Sequence, residues 1–131
     1  MPATHNIDQA KGKNAGGAIT SKRFVKLDTT ATDGETVVQC DTIGEGAYGV
    51  SLFSVSTSEI TVGKGCSVII DGRAVMIAGE ALAVGDLVMT GADGKPYVAT
   101  SGHAVLGSVD EPAAAAGDEC SIYLDRMGVL A

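Results

Sequence analysis

The chain has 131 residues, 45% of them hydrophobic, with 18 glycines, no tryptophan and a net charge of −7. That length suits one domain with its own core and no need of disulfides or metals, and the apolar content excludes a disordered chain. The longest unbroken apolar run, Ala74 to Ala78, is far short of the roughly 20 residues a membrane helix needs.

Residues 1–19 are polar and small, without a period of 2 or 3.6 that would bury a face, and are expected to form a flexible N-terminal arm. No apolar stretch follows their charges, so a secretory signal is not expected and the protein should be made and kept in a cytoplasm. Residues 1–26 hold five cations (Lys11, Lys13, Lys22, Arg23, Lys26) against Asp8, a net of +4, which leaves −11 on the remainder. An acidic body of this kind repels phosphates, so nucleic acid is not an expected partner. A basic arm against an acidic protein surface fits better.

From about residue 20 the pattern changes to short β-branched runs punctuated by Gly and Asp, and residues 20–131 read as one β-barrel domain. The predicted strands are Arg23–Leu27, Thr36–Cys40, Ala47–Val55, Cys66–Ile70, Ala74–Ala78, Leu87–Thr90, Tyr97–Ala99, Ala104–Val109 and Cys120–Leu124. Asp33-Gly34, Asp71-Gly72 and Asp93-Gly94 supply the positive φ of tight hairpins. The alanine-rich stretch from Glu111 to Gly117 is about one helical turn long and reads as a loop. The fold class is therefore all-β, a small barrel or sandwich of short antiparallel strands with an extended N-terminal arm.

The sequence also echoes itself. Gly63 to Ile70 returns as Gly117 to Leu124, placing Cys66 opposite Cys120. Phe24 to Leu27, Asp33-Gly34 and Val37-Val38 resemble Leu87 to Met89, Asp93-Gly94 and Tyr97-Val98. Two pseudo-repeats joined by the strand from Arg73 to Gly79 would build one pseudo-twofold barrel.

Several residues invite a chemical reading. Gly44-Glu45-Gly46-Ala47-Tyr48-Gly49 has the G-x-G-x-x-G spacing of dinucleotide sites, but that motif needs a following helix to receive the pyrophosphate, and Val50 to Val55 alternates as a strand does. Cys40, Cys66 and Cys120 are odd in number and far apart, so no disulfide framework is expected. Cys66 and Cys120 each open an apolar strand and read as buried packing residues. His5 and His103 lie far from each other and from every cysteine, which does not suit zinc. No Gly-x-Ser-x-Gly elbow singles out a serine for His103 to activate. Asp110, Glu111, Asp118 and Glu119 lack the alternation of a calcium loop and read as solvated turn charges. No cofactor, metal or catalytic residue is assigned, and the protein is expected not to be an enzyme.

Ala81 to Val88 with its Gly85-Asp86, then Asp93-Gly94-Lys95, Val105 to Val109, Ala113 to Asp118 and a closing β run form a pattern that resembles the capsid cement or head decoration proteins of bacteriophages. The likeness extends weakly through Phe24 to Asp28 and Tyr48 to Val50, over roughly residues 18–125. The resemblance implies a β-barrel on the outer surface of the assembled capsid, made in the host bacterial cytoplasm. It implies a homotrimer that binds the major capsid protein and stabilises the head, with no catalysis, no membrane and no direct nucleic acid contact. On that reading Lys11, Lys13, Ile19, Lys22, Arg23 and Phe24 are the candidate capsid-binding residues, the cations for steering and the two apolar groups for burial. The rival is a small-molecule or carbohydrate-binding β module accessory to an enzyme or tail structure. Such pockets favour aromatics, and Tyr48, Tyr97 and Tyr123 are the only tyrosines.

Overall fold

The computed structural model describes residues 6–131. Among the described residues nine strands, β1 (Asn6–Ala15), β2 (Phe24–Leu27), β3 (Thr36–Gln39), β4 (Gly49–Ser51), β5 (Gly65–Ile77), β6 (Leu87–Thr90), β7 (Pro96–Val98), β8 (Ala104–Glu111) and β9 (Glu119–Val129), run with one short helix, α1 (Thr57–Thr61). Two of the predicted hairpins form. β2–β3 turns at Asp33-Gly34 and β6–β7 at Asp93-Gly94, where Gly34 and Gly94 have φ of 68° and 77°. In each turn the aspartate accepts the backbone N–H two residues on, from Glu35 at 2.9 Å and from Lys95 at 3.1 Å.

Asp71-Gly72 does not turn the chain. The two strands predicted on either side of it are one continuous β5, and Gly72, at φ 94°, sits at a register shift in the pairing with β1. The positive φ serves a bulge that bends a long strand rather than a hairpin. Residues 6–15, read above as part of the arm, are β1, which pairs antiparallel with β5 from Asn6↔Arg73 to Asn14↔Gly65. β1 also meets β3 in parallel at Asn14↔Thr36 and Ala15↔Val37, so β1, β3, β2, β4 and β5 close a five-stranded ring. β9, β8, β6 and β7 lie outside it.

The outer strands repeat the ring's pattern. Val25 faces Gly49 and Val50 faces Ile69 in the first unit; Val88 faces Gly107 and Ser108 faces Tyr123 in the second. Lys13 opposes Cys66 as Met76 opposes Cys120. The isolated bridge Ile19↔Val55 returns as Leu82↔Ala113. Gly16 donates to Val37 O at 2.8 Å, and Gly79 to Pro96 O at 3.0 Å. The stretch from Arg73 to Gly79, the end of β5 and the two residues after it, is therefore the second copy of β1, and β5 serves both units in turn.

Each unit has its own core. Ala15, Ile19, Val25, Val37, Val55, Cys66 and Val68 fill the first. Ala78, Leu82, Val88, Ala113, Cys120 and Ile122 hold the matching places in the second. Because side chains alternate across a strand, Phe24, Val50 and Ile69, the neighbours of Val25, Gly49 and Val68, turn outward from the ring and join the second cluster. Gly49 and Gly107 let adjacent strands approach: a Cβ on either would stand 2.3 Å from the carbonyl oxygen of Ile69 or Tyr123.

Candidate functional site

The structure places the six candidate residues very differently. Ile19 and Phe24 are 2% and 1% exposed and belong to the chain's own cores. The Lys13 side chain is only 10% exposed: its ammonium donates to Gly34 O at 2.8 Å, lies 3.6 Å from Glu35 and sits 5.1 Å above the Tyr48 ring. Arg23 is half-buried, its guanidinium donating to Ser21 O at 3.1 Å, and burial pulls its pKa down without removing its charge. Lys22 pairs with Glu119 across the two units. Lys11 is exposed on β1.

Lys22 has φ 62°, a left-handed conformation unusual for a residue with a side chain. Its counterpart in the second unit is Gly85, at φ 87°. Lys22 N–H donates to Ser51 O at 2.9 Å, as Gly85 N–H does to Val109 O at 2.8 Å.

The other chemical candidates have structural partners. All three cysteines are free and buried. Burial pushes the Cys40 thiol up to about 12 and the Cys120 thiol up to about 11, and raises Cys66 too. Thiols so shifted are inert at neutral pH. His103 Nδ1 lies 2.7 Å from Thr100 Oγ1 and 3.1 Å from Met89 Sδ, with its ring against Gly44. The Gly44 to Gly49 segment leads into β4, a strand. The late carboxylates are dispersed: Asp110 pairs with Arg73 at 2.5 Å, Asp118 accepts from Ala115 N at 3.2 Å, and Glu119 holds Lys22. The tyrosines stand apart as well. Tyr48 lies under Lys13, Tyr97 donates to Asp93 at 2.9 Å and Tyr123 is exposed on β9.

The strand predicted over Ala47–Val55 is shorter than expected: β4 ends at Ser51, and the loop to β5 carries α1, which the sequence reading did not expect. Ser56 caps α1 by accepting from Glu59 N at 3.3 Å, while the Glu59 carboxylate accepts from Ser56 N at 3.0 Å. This capping box was legible as Ser-x-x-Glu. Lys64, then the Ser56 N–H, hold the Glu59 carboxyl down at about 2. The loop is tied to the segment before β2: Ser21 N donates to Ser54 Oγ at 2.9 Å, and Ser51 Oγ donates to Thr20 O at 2.7 Å. On this rigid support Phe53 and Val62 are 59% and 83% exposed.

The sequence model of a family described as phage cement protein matches residues 12–124. The chain belongs to the phage cement protein family. That span begins within β1 and ends within β9, so it reaches into both structural units. Among solved structures the chain is similar to the N-terminal base of the head fiber protein gp8.5 of bacteriophage phi29, with a TM-score of 0.70 and 18% sequence identity. The alignment covers 94% of this chain and 98% of that one, and it establishes a shared fold. No curated protein sequence matches the chain. As a cement protein its role is structural and capsid-associated.

Proposed function

We propose that this cement protein binds the outer surface of the assembled capsid as a homotrimer, contacts the major capsid protein, and stabilises the head without catalysing a reaction. The family match over residues 12–124 carries the reading. Support for a role without catalysis comes from the buried, inert thiols and from the separate partners that occupy His103 and the late carboxylates.

Within the six candidates the division of labour follows exposure. On this reading Lys11, exposed on β1, carries the steering toward an acidic shell, a contribution that salt screens over about 8–10 Å at physiological ionic strength, while Lys22 and Arg23 hold Glu119 and Ser21 O within the chain. Lys13, Ile19 and Phe24 act through the body, since each is engaged within it. β1 meets β3 only at Asn14 and Ala15, so its N-terminal half keeps one edge open for pairing with a neighbouring strand. Exposed ion pairs contribute only about 0–1 kcal/mol each, so the affinity must come chiefly from elsewhere.

The test is addition of purified protein to heads assembled without it. Saturation at a fixed number of copies, in multiples of three, with heads more resistant to heat, is the expected result. Heads that take up no protein would refute the reading.

A further inference from the structure

The two units pack on each other through a row of side chains that runs across the first. Cys40, Phe24, Val50 and Ile69 are neighbours on successive segments, joined by the bond from Cys40 N to Phe24 O at 3.0 Å and by the pairs Phe24↔Val50 and Val50↔Ile69. All four are no more than 1% exposed because they close the second core. The second unit carries the same row: Ala99 N donates to Leu87 O at 2.8 Å, and Leu87↔Ser108 and Ser108↔Tyr123 continue it. This row is only half-buried at Leu87, Ala99 and Ser108, and Tyr123 is 48% exposed. We infer that this row and the hairpin end of the first unit are complementary surfaces for a second copy of the chain, and that Lys13 and the tail of β9 keep the two closed to it.

The occupant is read from the chain itself, where one contact of this kind is complete. The Asp93-Gly94 turn of the second unit meets the row of the first: Gly94 O accepts Phe24 N–H at 2.8 Å, and Asp93 O accepts Gln39 Nε2 at 3.1 Å. The matching turn of the first unit, Asp33-Gly34, has no such cover. A Cβ on Gly94 would lie 3.1 Å from Arg23 Cβ, whereas one on Gly34 would meet none of the described residues within 4 Å. Gly34 O is taken instead by the Lys13 ammonium at 2.8 Å. Lys13 stands opposite Cys66 where the second unit has Met76 opposite Cys120, and Met76 is fully buried in the core that the row closes. A row arriving on the first unit would have to cover an ammonium now held by Gly34 O and the Tyr48 ring, and desolvating that charge opposes the contact.

The tail of β9 closes the other side of the same contact. Gly44 precedes Gly49 by as many residues as Gly102 precedes Gly107, and both are left-handed, at φ 75° and 86°. Gly44 N–H crosses to the second unit and donates to Thr90 O at 2.8 Å. Gly102 N–H donates to Leu130 O at 2.7 Å, and Leu130 N–H donates to His103 O at 2.9 Å, so the tail holds the group that would reach a further unit. The ion pair between the units is not repeated either: Lys22 and Glu119 correspond to Gly85 and Gly65. A head-to-tail contact that does not close on itself gives open filaments, and end units with their own caps prevent them. Capped ends leave free copies available to a shell.

The experiment needs no heads, so its outcome is independent of the capsid-binding reading. Lys13→Met gives the first unit the side chain that the second has at Met76, and Leu130→Pro removes the N–H that ties the tail to His103 O. In sedimentation equilibrium of the full chain, wild type should level off at one mass as concentration rises. The double variant should grow beyond that mass, with half association at about 100 µM, a weak contact because the Lys22–Glu119 link has no counterpart. Lys13→Met alone should grow at higher concentration, and it decides the matter if the double variant unfolds. Adding Tyr123→Asp, which puts a charge into the exposed row, should return either variant to the wild-type mass. The inference is overturned if the folded variants keep the wild-type mass, if growth persists with Tyr123→Asp, or if wild type itself grows without a plateau.

Discussion

Replacing Gly107 by alanine tests how closely the backbones of β8 and β9 pack in the second unit. The new Cβ would lie 2.3 Å from Tyr123 O and 3.0 Å from Ile122 Cγ2, whereas ordinary contact begins near 3.4 Å. Relief requires β8 and β9 to part by about 1 Å, because a backbone carbonyl in a ladder has no rotamer to change. Such a shift weakens roughly two flanking backbone hydrogen bonds at about 1 kcal/mol each and loosens the core behind Ile122, an overpacking cost of about 1–3 kcal/mol. We expect a loss of about 3 kcal/mol or more in urea unfolding, with Tm lower by roughly 10 °C. Gly49→Ala meets Ile69 O at the same 2.3 Å and should cost a similar amount. Gly12→Ala and Gly46→Ala, where a Cβ meets nothing within 4 Å, should stay within about 0.5 kcal/mol of wild type. Gly107→Ala and Gly49→Ala proteins as stable as those controls would refute the close strand approach at both glycines.

Cys66→Ala and Cys120→Ala should each cost about 1–2 kcal/mol through lost packing while leaving head binding intact, and a thiol reagent should label neither cysteine until the chain unfolds; rapid labelling of folded protein at neutral pH would contradict their burial. The Glu59 carboxyl titrates well below its unfolded value of 4.5, at about 2, so its contribution is complete above pH 4.5 and disappears as pH falls through 2. Acid should therefore loosen the α1 loop in wild type before the body unfolds, visible as faster amide exchange at residues 56–64, and Glu59→Gln should show the loosened loop at every pH. Residues 1–19, proposed as an arm, should exchange amide hydrogens faster in free protein than on heads. Equal protection in the two states would make β1 a permanent stave of the ring.

Much of this architecture was legible in the sequence. The β-branched runs at Phe24, Thr36, Leu87 and Ala104 became strands, and two Asp-Gly pairs became hairpins, because positive φ at glycine is a local requirement that no tertiary context relaxes. The same chemistry misled at Asp71-Gly72, where the positive φ bends β5 instead of reversing it; a local signal cannot tell a bulge from a turn. β1 gave no periodic signal for a physical reason. Among its described side chains Ala15 is the buried one, whereas its counterpart from Arg73 to Ala78 contributes Ala74, Met76 and Ala78 to the second core and is apolar. The echo of Gly63 to Ile70 in Gly117 to Leu124 did mark a duplication, down to the matched cysteines.

The candidate site was less legible. Positive charge near the N-terminus is visible in composition, but which cations are already spent on Glu35, Glu119 or a backbone carbonyl depends on the fold. Ile19 and Phe24 looked available for a partner and are core residues, while Phe53 sits in a Ser-rich stretch whose only local cue is the Ser56–Glu59 capping box.

Cryo-electron microscopy of heads assembled without the protein, compared with the same heads after saturation by it, tests the capsid-binding role most directly. Discrete added density on the outer surface, one two-unit body per chain grouped in threes over the major capsid protein, is the expected result. Heads whose outer surface is unchanged after saturation, or density confined to the interior or the tail, would contradict it.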